Sequence, residues 1–542
     1  MPGTTKAVAA PRQPRVIAAA EGLSMLLLCF YLLWLPLPFG SVVEGAQMPL
    51  ILVPLFLCTV VAIAFVAEVK LGTWAPYFPL AYRIWSIGGT LFILVVAMQL
   101  IPLPPGLLRL VSPESHTIWG DAARISCMLR DQPPSAGWFP ISVDPAATRL
   151  GLFQLLAIFA TFHVSALLVR HASQRSALAL VLCTGALFQA LYGVREAALR
   201  RYAIWGWVNT KMYSRVTGTY VNPNHFAHYL AIIFPVALFL TAGAWHSARI
   251  RASLARRISR LFEKKLAVVA MSFATSVACL VSILLAQSRG ALLSLVAAIA
   301  GVSVIVVRRG SLKERDLAGH RDSSVGLRHG RRQAVGFAAL KVLAIVLVVG
   351  AVLSGLIEFL GRERTTASRL LPAAAEEETL GGRRTGIDVS LGLWRRFPLF
   401  GSGFGTFEAI SSSLQRFDAG KIYHHAHNDY LEVAATTGTA GLLIALVPLF
   451  GGYVALARTA AGRYAKLKAW ERRAWLTAAL TSLTIAMLHG LTDFNFYIPA
   501  NPVTLAAIVG AGVSVRSRFG TGGHEVEGRD HEDSDHAGMD GE

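Results

Sequence analysis

The sequence predicts an all-α polytopic membrane protein, and three observations predict it. Of its 542 residues 54% are hydrophobic and only 15% charged. Runs of roughly 20 mainly apolar residues, the length that crosses a bilayer core, recur along the whole chain. Basic residues collect between alternate runs. A soluble domain has no use for that much apolar side chain.

The apolar runs fall at 23–41, 48–67, 85–102, 149–169, 176–197, 225–245, 266–286, 290–307, 335–360, 430–457, 474–493 and 499–515, about twelve helices with a long loop before the tenth. The N-terminus carries Lys6, Arg12 and Arg15, and the first run is too embedded among later ones to read as a cleaved leader. Residues 1–21 are therefore placed in the cytoplasm. The order that follows is a transmembrane region at 22–198 with an external loop at 103–148, a central region at 199–457 with an external loop at 361–428, helices at 458–515, and an acidic tail at 516–542.

Charge placement agrees with that order. Lys and Arg resist export, so they mark cytoplasmic loops. Arg249, Arg251, Arg256, Arg257 and Arg260 crowd one such loop, Arg308, Arg309, Lys313 and Arg315 another, and Arg458, Arg463, Lys466 and Lys468 a third. The net charge of +19 thus reflects topology and contact with lipid headgroups, and no nucleic-acid partner is expected. The tail sequence DHEDSDH reads as a disordered, solvating end. Four of the five cysteines, Cys29, Cys58, Cys183 and Cys279, lie in apolar runs, which leaves no disulfide framework.

Three outward segments break the rule that basic groups are scarce outside. The loop after the fifth run ends SRVTGTYVNPNHFAHYL and holds Arg215. The turn between the seventh and eighth is little more than QSRG and holds Arg289. The segment 361–428 closes on KIYHHAHNDYLEVAATTGTAGLL, where His424, His425, His427, Asn428 and Asp429 run straight into apolar residues. Alternate crossing brings Arg215, Arg289 and His427 to one face. Charge at membrane depth is costly and usually functional. Blander readings stand beside this one. Arg215 reads equally as an interfacial anchor, Arg289 as a side chain snorkelling to headgroups, and Asn222-Pro223-Asn224 as a solvated turn that starts a helix. Histidines beside a carboxylate have metal-binding chemistry. With His425 and His427 two apart and Asp429 on the helix, however, no three converge, so neither metal nor other cofactor is expected.

Guanidinium groups bind a diphosphate bidentately and stay charged, and a neutral imidazole takes a proton from a hydroxyl near neutral pH. Together they suit displacement of a diphosphate by an alcohol. At an outer interface that diphosphate is the head of a lipid carrier. A transporter or flippase with an outward polar cavity is the alternative, since its arginines would bind substrate with no need of His427.

The sequence resembles the O-antigen ligase and polymerase superfamily. The family's hallmark is His, a small polar residue, nine residues and Gly-x-x-Gly, matched by His427, Asn428, Gly438 and Gly441. Also matching are SRGALLSL with Arg289, GTYVNPNHFA after Arg215, and GGRRTGIDVSLGLWRRFPLFGSGFGTFE at 381–408. The stretches MQLIPLPPGLLRLVSPES, WFPISVDPAATR and HGLTDFNFYIPANP resemble an exopolysaccharide-polymerase-like branch.

The resemblance implies a multi-pass protein of the bacterial inner membrane with its site facing the periplasm. It implies a metal-independent, inverting transfer of glycan from an undecaprenyl-diphosphate donor to a glycan, lipid A core or protein acceptor. Arg215 and Arg289 would clamp the diphosphate and His427 would be the base. Asn224, Arg384, His425, Asn428, Tyr430 and Asp493 are the candidate substrate-binding residues. His489, Asp493 and Asn495 either line the cavity or hydrogen-bond between helices. Residues 386–397 read as an amphipathic roof with Ile387, Leu391 and Trp394 on one face. Gly401, Gly403 and Gly405 turn the chain back beneath it, and Gly438 and Gly441 let the following helix pack closely.

Overall fold

The computed structural model describes residues 14–130, 137–208, 215–249, 264–318, 376–414, 424–462 and 470–517. These residues are almost wholly helical. In chain order the helices are α1 (Arg15–Trp34), α2 (Glu44–Lys70), α3 (Leu80–Met98), α4 (Pro105–Val111), α5 (Pro113–Arg130), α6 (Pro145–Leu168), α7 (Ala172–Ala198), α8 (Pro223–Arg249), α9 (Lys264–Leu285), α10 (Arg289–Ala318), α11 (Glu376–Arg396), α12 (Phe407–Ser411), α13 (Asp429–Gly462), α14 (Trp470–His489) and α15 (Ala500–Gly512). Eight of them are long and apolar enough to cross a membrane, and shorter apolar helices occupy Arg289–Ile305, Ala474–His489 and Ala500–Gly512. The run at 335–360 and the tail from 518 lie outside the described residues.

Burial sorts the bundle. The apolar stretch of α8, Pro223–Thr241, is 89% buried, against 28% for α1, α2 and α13. A helix apolar on every side belongs at the centre, and α8 lies against α7, α9 and α14 there. Small residues set the approach of α3 and α13. A Cβ on Gly88 would meet Pro448 and one on Gly452 would meet Trp85, so both backbones come close where glycine stands.

The turns fall into two groups, as alternate crossing requires. At one end Trp205 reaches the Leu37 carbonyl, Gln99 the Phe400 carbonyl, and Arg215 the Ala286 carbonyl, while Asp429 N–H donates to the Gly490 carbonyl. At the other, Arg170 pairs with Glu21 and with Glu68, and Pro76–Tyr77 pairs antiparallel with Arg516–Ser517. The candidate residues all belong to the first end, called the site end below.

The main departure from the sequence reading is α13. It is two helical pieces joined at Gly438, whose φ of 68° and ψ of −172° are not helical. Breaking a helix strands backbone donors and acceptors, which is prohibitive in an apolar setting unless they find partners. The glycine segment supplies them. Thr439 N–H donates to the Pro398 carbonyl at 2.8 Å and Ala440 N–H to the Leu399 carbonyl at 3.1 Å. Ser402 and Gly403 N–H in turn donate to the Ala435 and Thr436 carbonyls at 3.2 and 3.0 Å. Gln99, fully buried at the end of α3, clamps the junction through the Phe400 and Thr436 carbonyls and the Phe404 N–H. Gly401 and Gly438 allow this contact, because a Cβ on either would lie 2.1 or 2.3 Å from the opposing backbone. Gly438 is thus required for a break, and the close packing expected of an unbroken helix is corrected.

Helix α11 spans the residues read as a roof, and a second apolar stripe, Val389 and Leu393 with Phe397 just beyond the helix, is buried against Phe407, Ile410, Ala426 and Ala435. Ile387 is exposed, and Leu391 and Trp394 are only half-buried. Gly386 sets this rotation: a Cβ there would stand 3.0 Å from the Ala426 carbonyl, so the helix presents its glycine to the histidine segment.

Replacing Gly438 with Ala forces a Cβ into the Leu399 carbonyl and strains a positive φ. The detergent-solubilised variant is expected to melt at least several degrees lower or to fail to fold. Gly72→Ala, with a φ of 68° but nothing within 4 Å, is expected to show the smaller backbone cost alone.

Candidate functional site

The histidine segment enters the site end with strained backbone. His427 has a φ of 51°, in the left-handed region that branched side chains rarely occupy. Such a conformation persists only where surroundings impose it, and functional sites are where it concentrates. The start of α13 imposes it from one side. Asn428 caps that helix, its Oδ1 accepting from Leu431 N–H at 3.0 Å, while its Nδ2 donates to the Leu491 carbonyl at 3.0 Å. Tyr430 O–H donates to the Met487 carbonyl at 2.7 Å. Both side chains therefore fasten α13 to α14 and the loop after it.

Each of the three histidines faces a different carboxylate. His424, exposed, pairs with exposed Glu408 at 2.7 Å. His425 Nδ1 lies 2.7 Å from Glu432, whose other oxygen accepts from Ala426 N–H. Glu432 is 1% exposed, a carboxylate inside an apolar helix. Burial opposes charge on His425, but the adjacent Glu432 outweighs it and raises the imidazole above its ordinary range. His427 Nδ1 lies 3.3 Å from Asp493, a fully buried residue in the loop after α14.

Asp493 faces a second imidazole, with His225 Nε2 at 3.6 Å. Burial works against its ionisation, yet the two facing imidazoles prevail and hold the carboxyl well below the usual carboxylate range. An ionised carboxylate only accepts hydrogen bonds, so the hydrogen between it and His427 sits on Nδ1. In a neutral His427 this arrangement puts the proton on Nδ1 and the lone pair on Nε2. The His427 side chain is 32% exposed, so part of its ring is open to the surface.

The arginines join this corner through a chain of contacts. Arg215 Nε donates to the Ala286 carbonyl at 2.9 Å, and its Nη2 to Asn224 Oδ1 at 2.9 Å and the Gln287 carbonyl at 3.4 Å. Asn222 Oδ1 accepts from Asn224 N–H, and Pro223 opens α8, so the turn expected from Asn-Pro-Asn is present and serves to aim Asn224 at Arg215. Gln287, with a φ of 53°, bends the chain into Arg289 at the start of α10. A Cβ on Gly290 would come within 2.8 Å of His489 Nε2 and 2.9 Å of Thr492 Oγ1, so this helix start abuts the end of α14. His489 is 2.9 Å from His228, Nδ1 to Nδ1, and its carbonyl accepts from Asp493 N–H. Contacts thus lead from the Arg215 and Arg289 turns to the end of α14, where Asp493 meets His427; Asn224 is bonded to Arg215, and His425 to Glu432.

Arg384 is not brought there; it is exposed on α11. Its neighbour Arg383 is half-buried and close enough to His489 to act on it electrostatically. Sequence reasoning also missed Glu432, His225 and Gln99. Glu432 carried a usable signal, since a carboxylate one turn into an apolar span is expensive.

Residues 274–446 match the O-antigen ligase family. The chain thus carries an O-antigen ligase-type region, in agreement with the superfamily resemblance read from its motifs. The matched region includes Arg289, Arg384, His425, His427, Asn428, Tyr430 and both halves of the Gly438 junction. Arg215, Asn224 and Asp493 lie outside it and join the site through the fold. No curated protein matches the chain.

The His425–Glu432 pair makes stability depend on pH. A raised imidazole contributes fully below its ordinary value of about 6.5, and the contribution is lost as pH rises through the raised one. The melting temperature is expected to fall as pH rises above about 6.5, and to fall less in His425→Gln. Equal slopes for the two proteins would contradict the pairing.

Proposed function

We propose that this O-antigen ligase-type protein transfers glycan from an undecaprenyl-diphosphate donor to an acceptor hydroxyl at the periplasmic face of the bacterial inner membrane. The observation that carries the reading is His427, partly exposed and with its Nδ1 facing the buried Asp493 carboxylate. His427 Nε2 takes the acceptor's proton as its oxygen attacks the anomeric carbon. The bond from that carbon to the diphosphate oxygen breaks as the new bond forms, so configuration inverts. The leaving lipid diphosphate keeps the electron pair, and its developing charge is met by Arg215 and Arg289. The imidazolium then returns its proton to solvent.

Asn224 aims Arg215, and the turn at 286–287 couples that arginine to Arg289. In this reading the acceptor class, whether growing glycan, lipid A core or protein, is selected by surfaces beyond the reacting groups. The protein works without a nucleotide sugar, because the diphosphate carrier already activates the glycan.

His427→Ala is expected to lower release of carrier diphosphate from a lipid-linked glycan by about 10²–10⁴-fold in purified protein. Undiminished release would favour a transporter, whose arginines bind without an acid or base. Arg289→Ala is expected to abolish transfer while melting temperature and membrane insertion are retained, and normal turnover would reject its clamp role.

A further inference from the structure

Beyond the reacting groups, the site end carries an aromatic and charged cleft on the segment that follows α7. Its volume is about 480 Å³, and Tyr192, Arg195, Glu196, Arg201 and Trp205 line it. The floor is a short antiparallel hairpin, Ala203–Ile204 against Trp207–Val208.

Trp205 is displayed with unusual rigidity. Its φ is 51°, and the flanking Tyr202 and Gly206 are also positive at 45° and 89°. Strain of that order is kept only where contacts over-determine the conformation. Those contacts are present. Trp205 Nε1–H donates to the Leu37 carbonyl at 2.8 Å, and its backbone N–H to the Tyr192 hydroxyl at 2.9 Å. The indole stands against Tyr192 with centroids 5.0 Å apart and stacks with Phe188 at 6.3 Å. With its ring nitrogen satisfied and neighbouring rings behind it, the residue is still 52% exposed.

The rim is polar. Glu196 is buried and pairs with Arg195, whose side chain is 58% exposed. Arg201 N–H donates to the Glu196 carbonyl, which brings its exposed side chain to the same rim. The helix that carries Tyr192 also packs on the segment that follows Arg215. Gly193, one residue from Tyr192, admits Val216 and Gly218 so closely that a Cβ would lie 2.6 Å from Val216 Cγ1. Arg215 immediately precedes that contact.

We propose that this cleft is a saccharide subsite that holds a pyranose ring of the glycan away from the reacting bond. The C–H face of a pyranose is apolar and slightly positive, the complement of an indole face. Its hydroxyls need both donors and acceptors, which the guanidinium groups and the Glu196 carboxylate provide. A surface that only anchored the protein in headgroups would have no use for a carboxylate in the cleft's lining beside its arginines. The subsite rests on the glycan-transfer reading above, and its ring belongs either to the donor or to the acceptor.

Oxidation of Trp205 by N-bromosuccinimide, read by peptide mass spectrometry on full-length protein in nanodiscs, tests the proposal. The probes are the lipid-linked glycan extracted from the producing bacterium, placed in the disc, and the oligosaccharide released from it by mild acid, added in solution. Protection by the first assigns the ring to the donor and by the second to the acceptor. Equal oxidation with and without both probes overturns the subsite, as does protection that appears only when phosphatidylglycerol replaces phosphatidylcholine. Kinetically, Trp205→Ala is expected to raise KM for glycan three- to tenfold, the range of one aromatic stack, with kcat nearly unchanged. Arg201→Ala, altering an exposed side chain, is expected to act in the same direction and keeps the test open should Trp205→Ala misfold. Unchanged KM in a folded Arg201→Ala protein counts against the proposal. Protection is measured without turnover, so a His427→Ala protein that still transfers glycan rejects the transfer mechanism and leaves this result standing on its own.

Discussion

The contact on which the site depends is between Asp493 and two imidazoles. His427 comes from the segment before α13, His225 from the start of α8, and Asp493 from the loop after α14, so one fully buried carboxylate ties together regions far apart in sequence. Buried charge is tolerated only when paired and hydrogen-bonded; Asp493 Oδ1 meets both imidazoles and accepts from Phe494 N–H, and this pairing dictates geometry. It occupies Nδ1 of His427 while part of the ring stays exposed. The strained backbone at His427 is the local cost of holding a side chain in that orientation.

That orientation relies on the broken helix beside it. A continuous α13 would pass the histidine segment at a fixed angle. The break at Gly438 admits the 398–403 segment, whose backbone groups replace those the helix loses. Roof, glycine turn and histidine segment become one hydrogen-bonded layer, locked at its centre by Gln99 from α3. Glu432 adds a second tie, anchoring His425 and the Ala426 N–H from within the apolar helix. The three histidines before α13 are thus fastened individually, each to its own carboxylate, and that of His427 is fully buried.

Much of this was legible in the sequence because the membrane makes charge informative. Composition and apolar runs gave the fold class, and cationic residues at outward turns singled out Arg215 and Arg289. What stayed hidden was partnership. Nothing in the local sequence links Asp493 to His427 or Glu432 to His425, since those pairs exist only after α13 and α14 meet. Spacing could not tell a glycine that lets helices approach from one that breaks a helix, so Gly438 was misread. Helix α11 carries two apolar stripes, and the buried one is selected by Gly386 against the Ala426 carbonyl, a tertiary contact. Adjacent arginines point about 100° apart on a helix, and so Arg383 rather than Arg384 turned toward His489.

The central claim is that Asp493 sets His427 to act as a base. It is tested most directly by kcat for glycan transfer in Asp493→Asn, measured with the melting temperature of the same preparation. An amide can donate to Nδ1 and favour the wrong tautomer, so kcat is expected to fall by about 10²-fold or more while KM for the lipid-linked donor stays near wild type. A folded Asp493→Asn protein with wild-type kcat would contradict the account.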